Sequence, residues 1–428
     1  MAMGTKGTKG SSDPSAMARH SRESGNPAPL AFDSMKSLDP RLRGDDGHPS
    51  DPATSTALPR LRFPEFRDAA AWKKKPLSAL LDYERPDKYI VSDTAYQGSG
   101  TPVLTANKSF VLGYTRERNG IYSATPVVIF DDFTTDKKYV DFSFKVKSSA
   151  IKILKVKSDD SLRLIFELMC GIKFEPKEHK RYYISEYQDL EIAIPQRPEQ
   201  QKIADCLTSL DEVIAAQGRK VEALKAHKRG LMQQLFPREG ETRPRLRFPE
   251  FRNAPEWEVK KLSTLIDLVS GMHLSPDQYS SSGDVPYFTG PSDFTHEVAR
   301  VTKWAMISSN VATRHNTLIT VKGSGVGECW YLEMPSVAMG RQLMAVRART
   351  SSSQFIHQFL LTKRTRFEDL AAGNLIPGLA RGDILDMVAP FPKKDEQQRI
   401  ADCLCSLDTR IAAETRQLAA LKTHKQGL

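Results

Sequence analysis

The chain has 428 residues, of which 39% are hydrophobic, with a mean hydropathy of −0.44 and a net charge of +10. It has room for two or three domains, and no run approaches the roughly 18–20 apolar residues that cross a bilayer. The first 30 residues lack a signal peptide's apolar stretch and the five cysteines form no C-x-x-C pair, so we predict a cytoplasmic protein without disulfides, metal or membrane spans.

Residues 1–58 are rich in glycine, serine, proline and aspartate and show no apolar periodicity, so we predict a disordered N-terminal tail. They hold seven basic and seven acidic residues, so the whole excess of positive charge lies in residues 59–428. A basic chain is typical of proteins with an anionic partner, most often nucleic acid, although the same charge also favours solubility.

Two identical segments open the two halves of the remaining chain. Residues 59–67 and 244–252 both read PRLRFPEFR, and a tryptophan follows each copy five residues later. The interiors that follow differ: YIVSDTAYQGSGTPVLTANKSF in the first half has no convincing counterpart in SGMHLSPDQYSSSGDVPYFTGPSDF of the second. This order indicates two variable modules set in two copies of a constant frame.

Each half also closes with a repeated segment, which reads EQQKIADCLTSLD from Glu199 and EQQRIADCLCSLD from Glu396. Residues 198–231 and 395–428 are identical at 22 of 34 aligned positions. Apolar residues recur in both copies at alternating steps of four and three, which is the 3.5-residue period of a coiled-coil seam.

This period predicts two long helices that pack antiparallel about a pseudo-twofold axis. Polar residues interrupt the seam at matching places, with Gln217 and Lys228 in the first helix and Glu414 and Lys425 in the second. A helix packed only on its own module is the alternative interpretation. The predicted seam residues are Ile203, Leu207, Leu210, Ile214, Val221, Leu224, Leu231, Ile400, Leu404, Leu407, Ile411, Leu418 and Leu421.

Both variable modules are predicted to be mixed α+β domains. In the first, the strand-like runs TPVLTA, TPVVIF and FSFKVK precede a helical run at Ser161–Cys170. In the second, VPYF, NTLITV and CWYLEM precede a helix near Gln354–Glu368. The predicted fold is therefore α+β, with two globular modules joined by two long antiparallel coiled-coil helices.

The sequence predicts neither a catalytic centre nor a metal site. KGSGVG at residues 322–327 meets neither the Walker pattern nor G-x-G-x-x-G, so we predict a tight turn at a hairpin tip. Carboxylates in FDDFTTDKKYVDF, residues 130–142, alternate with Phe and Thr as at the edge of a strand, rather than as in a nuclease centre. Methyltransferase motifs of the N-P-P-Y or D-P-P-Y type are absent from the sequence.

Basic side chains in both modules are candidate DNA contacts, because arginine pairs with guanine edges and both cations bind phosphate. An ordinary solvated surface is the alternative for each single residue. The candidates are Lys108, Arg116, Arg118, Lys137 and Lys138 in the first module, and Lys303, Arg314, Lys322, Arg341 and Arg347 in the second.

Over nearly all of residues 59–428 the chain resembles the specificity (S) subunits of type I restriction–modification systems. The resemblance rests on LRFPEF with its downstream tryptophan, on the doubled EQQ-x-IADCL-x-SLD segment, and on GNLIPGLARGDI at Gly373–Ile384 leading into PFPKKDEQQRIA. It implies a subunit without catalytic activity that directs adenine methylation or restriction by partner subunits to a bipartite DNA site.

The resemblance also implies domain limits and partners. It implies target recognition domains at 59–194 and 244–391, and conserved spacer helices within 195–243 and 392–428. The implied partners are double-stranded DNA, two methyltransferase (M) subunits and restriction (R) subunits. S-adenosylmethionine, ATP and magnesium would be used by those partners, with no cofactor in this chain.

Two departures and two alternatives remain. The tail at 1–58 has no family counterpart, and the second helix stops at Leu428 without the MQQLFP that ends the first, which we interpret as a shortened helix. One alternative is a coiled-coil assembly scaffold without sequence-specific DNA binding. The other is a self-sufficient nuclease or methyltransferase, which the missing motifs disfavour.

Overall fold

The computed structural model describes residues 56–57, 59–106, 109–306, 310–323, 325–373 and 378–428. The predicted disordered tail therefore lies outside the described residues, apart from 56–57, and so does candidate Lys108. In the part of the chain that is described, no helix is both long and apolar enough to cross a membrane.

The first module contains one four-stranded sheet, two three-stranded sheets and the ten-residue helix α2. Its strands are β1 (Thr56–Ala57), β2 (Trp72–Pro76), β3 (Leu81–Glu84), β4 (Thr101–Leu104), β5 (Val111–Thr115), β6 (Val127–Asp131), β7 (Lys137–Val140), β8 (Lys145–Val146), β9 (Ile151–Val156) and β10 (Glu191–Ile194). Its helices are α1 (Leu77–Leu80) and α2 (Leu162–Gly171), and the long helix α3 (Arg197–Leu235) follows.

The second module begins after α3 and contains sheets of four, five and two strands. Its strands are β11 (Glu258–Lys261), β12 (Ile266–Ser270), β13 (Tyr279–Ser280), β14 (Val285–Phe288), β15 (Trp304–Ala305), β16 (Val311–Thr313), β17 (Thr317–Thr320), β18 (Cys329–Tyr331), β19 (Ser336–Met339), β20 (Leu343–Ala348) and β21 (Val388–Phe391). Its helices are α4 (Ser353–Leu361), α5 (Arg364–Gly373) and α6 (Arg381–Leu385), and the long helix α7 (Lys394–Gly427) follows.

The two modules share a core topology although their sequences do not align, and β13 and β16 are additional strands of the second module. The antiparallel sheet β3-β9-β6-β7 of the first corresponds to β12-β20-β17-β18 of the second. The parallel pair β4-β8 corresponds to β14-β19, and the frame sheet β2-β10 to β11-β21. The repeat seen at the ends of each half therefore extends through the interiors.

The central strands are buried on both faces, which explains their apolar sequences. In β6, Val128 and Phe130 pack towards α2, whereas Val127 and Ile129 pack between the two sheets. This alternation is the two-residue period of a strand. In β17, Ile319 packs towards α4 and Leu318 between the sheets, so the same division of the core holds in the second module.

Most of the predicted runs form the expected elements, with two corrections. TPVLTA, TPVVIF, VPYF, NTLITV and CWYLEM contain β4, β6, β14, β17 and β18, but FSFKVK contains only the two-residue β8. The single helix predicted at Gln354–Glu368 is wrong, because α4 ends at Leu361 and α5 begins at Arg364. The break follows Thr362, whose hydroxyl donates to the carbonyl of Phe359 and so competes with the helical bonding there.

Helices α3 and α7 pack along each other in antiparallel orientation, as the seam predicted. With 39 and 34 residues they are about 58 and 51 Å long, at about 1.5 Å per residue. The direction follows from contacts such as Lys228 to Asp408 and Lys425 to Asp211, which join the end of each helix to the first half of the other. The first module packs through α2 on the start of α3, and the second through α4 on the start of α7, so the modules lie at opposite ends.

Candidate nucleic-acid interface

The predicted seam residues differ in burial from their neighbours along α3 and α7. Val221, Ile400 and Leu404 are buried, and the other ten are half-buried. The neighbouring positions are mostly exposed, so the apolar surface of each helix is a narrow stripe.

A polar layer marks the centre of this seam. The side-chain amide of Gln217 donates to the Glu414 carboxylate at 2.7 Å and to the Glu414 backbone carbonyl at 3.0 Å. Ion pairing with Lys220, at 2.6 Å, and the Gln217 bond lower the pKa of Glu414. Gln217 and Glu414 are equivalent residues of the repeat, so the pseudo-twofold axis passes between them.

Two ion pairs flank the central layer and are related to each other by the same axis. Lys228 contacts Asp408 at 2.6 Å, and Lys425 contacts Asp211 at 2.9 Å. Each aspartate also binds the helix of the nearer module, since Arg163 of α2 pairs with Asp211 and Gln358 of α4 donates to Asp408. The polar positions of the seam therefore fix its register and tie it to both modules.

The repeated opening segment is held by a buried ion pair at the start of each long helix. Arg62 binds Glu199 through two bonds of 2.7 Å, and the indole of Trp72 donates to the same carboxylate at 3.2 Å. We call this set, and its copy in the second half, the clamps.

In the second clamp, Arg247 binds Glu396 through two bonds of 2.6 Å and Trp257 donates at 3.3 Å. A carboxylate in the first turn is also favoured by the helix dipole. The clamps explain why LRFPEF, a downstream tryptophan and the E of EQQ occur together twice.

The following glutamine of each EQQ segment connects the frame to the module. The Gln200 amide oxygen accepts from the backbone N–H of Ser161, which caps α2, and its nitrogen donates to the Pro195 carbonyl. Gln397 makes the same two bonds, with Ser352 at the start of α4 and with Pro392. Module orientation is thus set by identical buried contacts at both ends.

Two of the candidate cations in the second module are brought together. The backbone N–H of Val321 donates to the carbonyl of Gln342 at 2.7 Å, which places exposed Lys322 and exposed Arg341 in adjacent loops. Exposed Arg314 and Arg347 lie towards the opposite end of the same sheet, where Thr317 pairs with Val346. Lys303 is half-buried beside β15.

The candidates of the first module are more dispersed. Arg116 and Arg118 are exposed just after β5, and Lys138 is half-buried on β7. Lys137 donates to the hydroxyl of Tyr187 at 2.9 Å, and burial lowers its pKa. Its ammonium group faces the interior of the module, which does not favour a DNA contact.

The motifs considered for other chemistry have structural roles here. The described residues of KGSGVG lie between β17 and β18, and Gly323 and Gly327 there have φ values of +89° and +83°. Asp131 accepts from the backbone of Phe133 and Thr134, and Asp132 forms a buried ion pair with Lys152 at 3.4 Å. Across the residues with described structure, no cluster of three or more Asp, Glu, His or Cys could hold a metal ion.

Sequence reasoning missed a basic loop in the first module. Lys173, Lys177, Lys180 and Arg181 are all exposed in the segment after α2. Tyr182 donates its backbone N–H to Asp132, which places this segment beside the β6–β7 turn, just as Leu379 bonds to Val321 in the second module. The signal was the run KFEPKEHKR, whose cations alternate with acidic and aromatic residues.

His357 of α4 is half-buried, with its ring against Thr317 of β17 and Tyr331 of β18, and this position predicts acid sensitivity. Burial lowers the pKa of His357 to about 4, an effect that Lys228 strengthens and Asp408 opposes. The unfolded chain, with an ordinary pKa near 6.5, binds the proton first, so stability is lost as the pH falls from about 6.5 towards 4. When the pH falls from 7 to 4.5, we expect this histidine to lower the free energy of unfolding by about 2–3 kcal/mol.

Urea unfolding of the chain and of His357→Gln at both pH values measures this contribution as the difference in pH dependence. Exposed His424, changed to Gln, is the matched control and should leave the pH dependence unaltered. If the free energy of unfolding of the His357 variant decreased by the same amount at low pH, the prediction would be contradicted.

Comparison with known proteins gives consistent matches. The family described as "Type I restriction modification DNA specificity domain" matches residues 255–423. The type I restriction enzyme EcoR124I/EcoR124II specificity subunit of Escherichia coli is 47% identical over 128 residues, which are 28% of this chain and 31% of that relative. The match thus spans about a third of that protein's length.

Two further matches extend over most of the chain. The type I restriction enzyme MjaVIII specificity subunit of Methanocaldococcus jannaschii is 21% identical over 386 residues, 83% of this chain and 87% of that protein. The crystal structure of the type I restriction–modification S subunit from M. genitalium has a TM-score of 0.61 and 15% identity, covering 83% of this chain and 94% of that one. The latter likeness supports the fold.

Proposed function

We propose that this chain is a type I restriction–modification DNA specificity subunit and that it binds a bipartite DNA site with its two modules. The observation that carries the proposal is the placement of two modules of one topology and unlike sequence at opposite ends of a twofold-related helix pair. Such a monomer has two DNA-binding modules, as a symmetric dimer would. Because the two modules differ in sequence, each can recognise a different DNA sequence.

The dimensions of the helix pair suit a split site. One turn of B-DNA is about 34 Å, whereas α3 is about 58 Å long. Readers at the two ends can reach separate groove segments of one duplex, leaving bases between them uncontacted. The clamps and the polar seam would keep this span constant.

Charged loops at corresponding ends of the modules are the surfaces that we assign to DNA. In the second module they carry Lys322 and Arg341, with exposed Gln342 between them in space. In the first they carry the basic loop at 173–181. Arginine and glutamine suit guanine and adenine edges respectively, and lysine suits phosphate, so the loops combine both kinds of contact. Arg116, Arg118, Lys138, Lys303, Arg314 and Arg347 remain candidates for outlying phosphate contacts.

We assign residues 59–194 and 244–391 to target recognition, and 195–243 and 392–428 to the spacer. The twofold arrangement of α3 and α7 offers two equivalent surfaces, which suits two M subunits, with R subunits joining them. S-adenosylmethionine, ATP and magnesium would then act on those partners in the cytoplasm. In this assignment the chain supplies recognition, and catalysis belongs to the partners.

Exchange of one module tests the proposal. We expect that replacing residues 59–194 with the corresponding module of another family member changes one half of the methylated site and leaves the other half as before. Replacing 244–391 is the matched control and should change only the other half. Methylation mapping in cells with the M partner measures both; an unchanged site in both exchanges, or sequence-independent DNA binding by the complex, would favour the scaffold function instead.

A further inference from the structure

A buried ion pair of the first module lies beside the basic loop at 173–181. The Asp132 carboxylate and the Lys152 ammonium group are 3.4 Å apart, and their side chains are only 1% and 2% exposed. The ammonium group also lies 5.2 Å from the centre of the Tyr83 ring. Taking two charges out of water is costly, and an apolar pair of similar volume is often at least as stable. Stability of the module therefore does not by itself explain the pair.

The position of Asp132 is occupied in the second module by Val321. The backbone carbonyl of Asp132 accepts from the N–H of Tyr182 at 2.8 Å, at the end of the basic loop. The carbonyl of Val321 accepts from the N–H of Leu379 at the same distance. Val321 is 1% exposed and belongs to the apolar core of its module. A carboxylate is therefore not required for the fold at this position.

Lys152 has an apolar counterpart as well. It pairs with Phe130 across β9 and β6, and Met344 pairs with Ile319 across β20 and β17. In each module the partner on the central strand stands two residues before the position just described. Met344 packs against the same core as Val321. The second module thus completes this part of its core without an ion pair.

The Asp132 carboxylate makes a further contact that connects β6 to the basic loop. It accepts from the backbone N–H of Tyr183 at 2.8 Å. In the second module the equivalent N–H, that of Ala380, donates at 2.7 Å to Asp383, which is only three residues along the chain. The same backbone group is therefore capped locally in the second module and by a distant strand end in the first. Only the second arrangement ties the loop to the sheet.

Aromatic contacts hold the basic loop against the residue that follows Asp132. The His179 ring stacks on the Phe133 ring, with centroids 4.7 Å apart and 12° between the planes. The guanidinium group of Arg181 lies 5.9 Å from the centre of the same Phe133 ring. The orientation of the loop and of its cations therefore depends on how firmly Asp132 is held.

We propose that Asp132 and Lys152 are positioning residues, which hold the basic loop in the orientation that lets the first module distinguish one base from another. This inference rests on the proposed function. The four exposed cations of the loop would attract phosphate in any orientation, but phosphate contacts carry no sequence information directly. Hydrogen bonds to base edges require a fixed geometry. Loss of the anchor should therefore lower sequence discrimination more than DNA affinity.

A variant that copies three residues of the second module tests the inference. It combines Asp132→Val, Lys152→Met and Glu186→Asp, so that a carboxylate at position 186 can cap the N–H of Tyr183, as Asp383 caps its equivalent. Since the buried groups keep partners, we expect Tm to change by less than about 5 °C. Discrimination against single base-pair changes in the first half of the site should fall about tenfold.

Fluorescence anisotropy of the complex with the M partner measures this discrimination. The duplexes carry the site that methylation mapping defines, with each base pair changed in turn. The second half of the site is the internal control and should be discriminated as before. Asp132→Asn with Lys152→Met is the matched rescue variant, because its amide oxygen can still accept from Tyr183, and it should keep most of the discrimination.

Unchanged discrimination of the first half by the triple variant would overturn the inference. An equal loss in both halves, or a Tm far below that of the unchanged chain, would overturn it too, because either result would give the pair a purely structural role. The unchanged complex separates this inference from the proposed function. If that complex has no sequence preference, the proposed function fails; if it prefers its site and the variant does so equally, only the positioning role fails.

Discussion

Arg247→Ala is expected to destabilise the chain by about 3–5 kcal/mol, because it leaves the Glu396 carboxylate buried without its cation. Arg247 and Glu396 are only 6% and 3% exposed at their side chains, and their two bonds of 2.6 Å form a planar fork. Lysine cannot reproduce that geometry, so Arg247→Lys should recover part of the loss but not all of it. Urea unfolding followed by circular dichroism measures both changes.

Two further variants make the clamp prediction specific. The double change Arg247→Ala with Glu396→Ala should be less destabilising than Arg247→Ala alone, because the unpaired charge is gone. Arg300→Ala is the matched surface control, since Arg300 pairs with Glu297 at 71% and 64% exposure and should cost less than about 1 kcal/mol. Similar losses in the free energy of unfolding for Arg247→Ala and Arg300→Ala would show that the clamp does not stabilise the fold.

Adding seven residues to each long helix is expected to widen the gap between the two halves of the methylated site by about three base pairs. Seven residues lengthen a helix by about 10.5 Å, and base pairs are spaced at about 3.4 Å. The insertions belong beside Gln217 and Glu414, because one heptad there keeps the seam in phase on both sides of the axis.

Insertion of two residues at the same places is the control for the spacing prediction. It rotates the seam by about 200°, at about 100° per residue, and should disrupt packing and methylation rather than shift the gap. Methylation mapping of both variants, with the M partner present, measures the result. A functional heptad variant with an unchanged gap would refute the idea that the helix pair sets the span.

The helix pair was predictable from the sequence because its information is local and periodic. Steps of four and three identify the seam, and Gln217 and Glu414 stand out as interruptions at matching places. The shared topology of the modules was not predictable, since a buried strand requires only apolar side chains on both faces. Val127–Phe130 of β6 and Leu318–Ile319 of β17 meet that requirement without resembling each other, and buried Thr317 and Thr320 flank the second pair.

The clamps and the clusters of basic residues in the loops could not be predicted from the sequence, because they depend on contacts between distant segments. Arg62 and Glu199 stand 137 residues apart, and only the fold shows why both of their motifs are doubled. Lys322 and Arg341 lie in neighbouring loops that are joined by the backbone bond from Val321 to Gln342, whereas Lys137 turns inward to Tyr187. Composition alone cannot separate these cases.

The Gln217–Glu414 pair at the pseudo-twofold axis affects whether each half of the chain packs against the other half or against a copy of itself. An assembly of two copies of the first half alone would set Gln217 against Gln217, and one of two second halves would set Glu414 against Glu414 and oppose two carboxylates. Within one chain the amide meets the carboxylate at 2.7 Å and Lys220 offsets the charge. If the two halves arose by duplication, divergence at this one layer would favour pairing of α3 with α7 in the same chain. Pairing of two identical halves would be disfavoured by comparison.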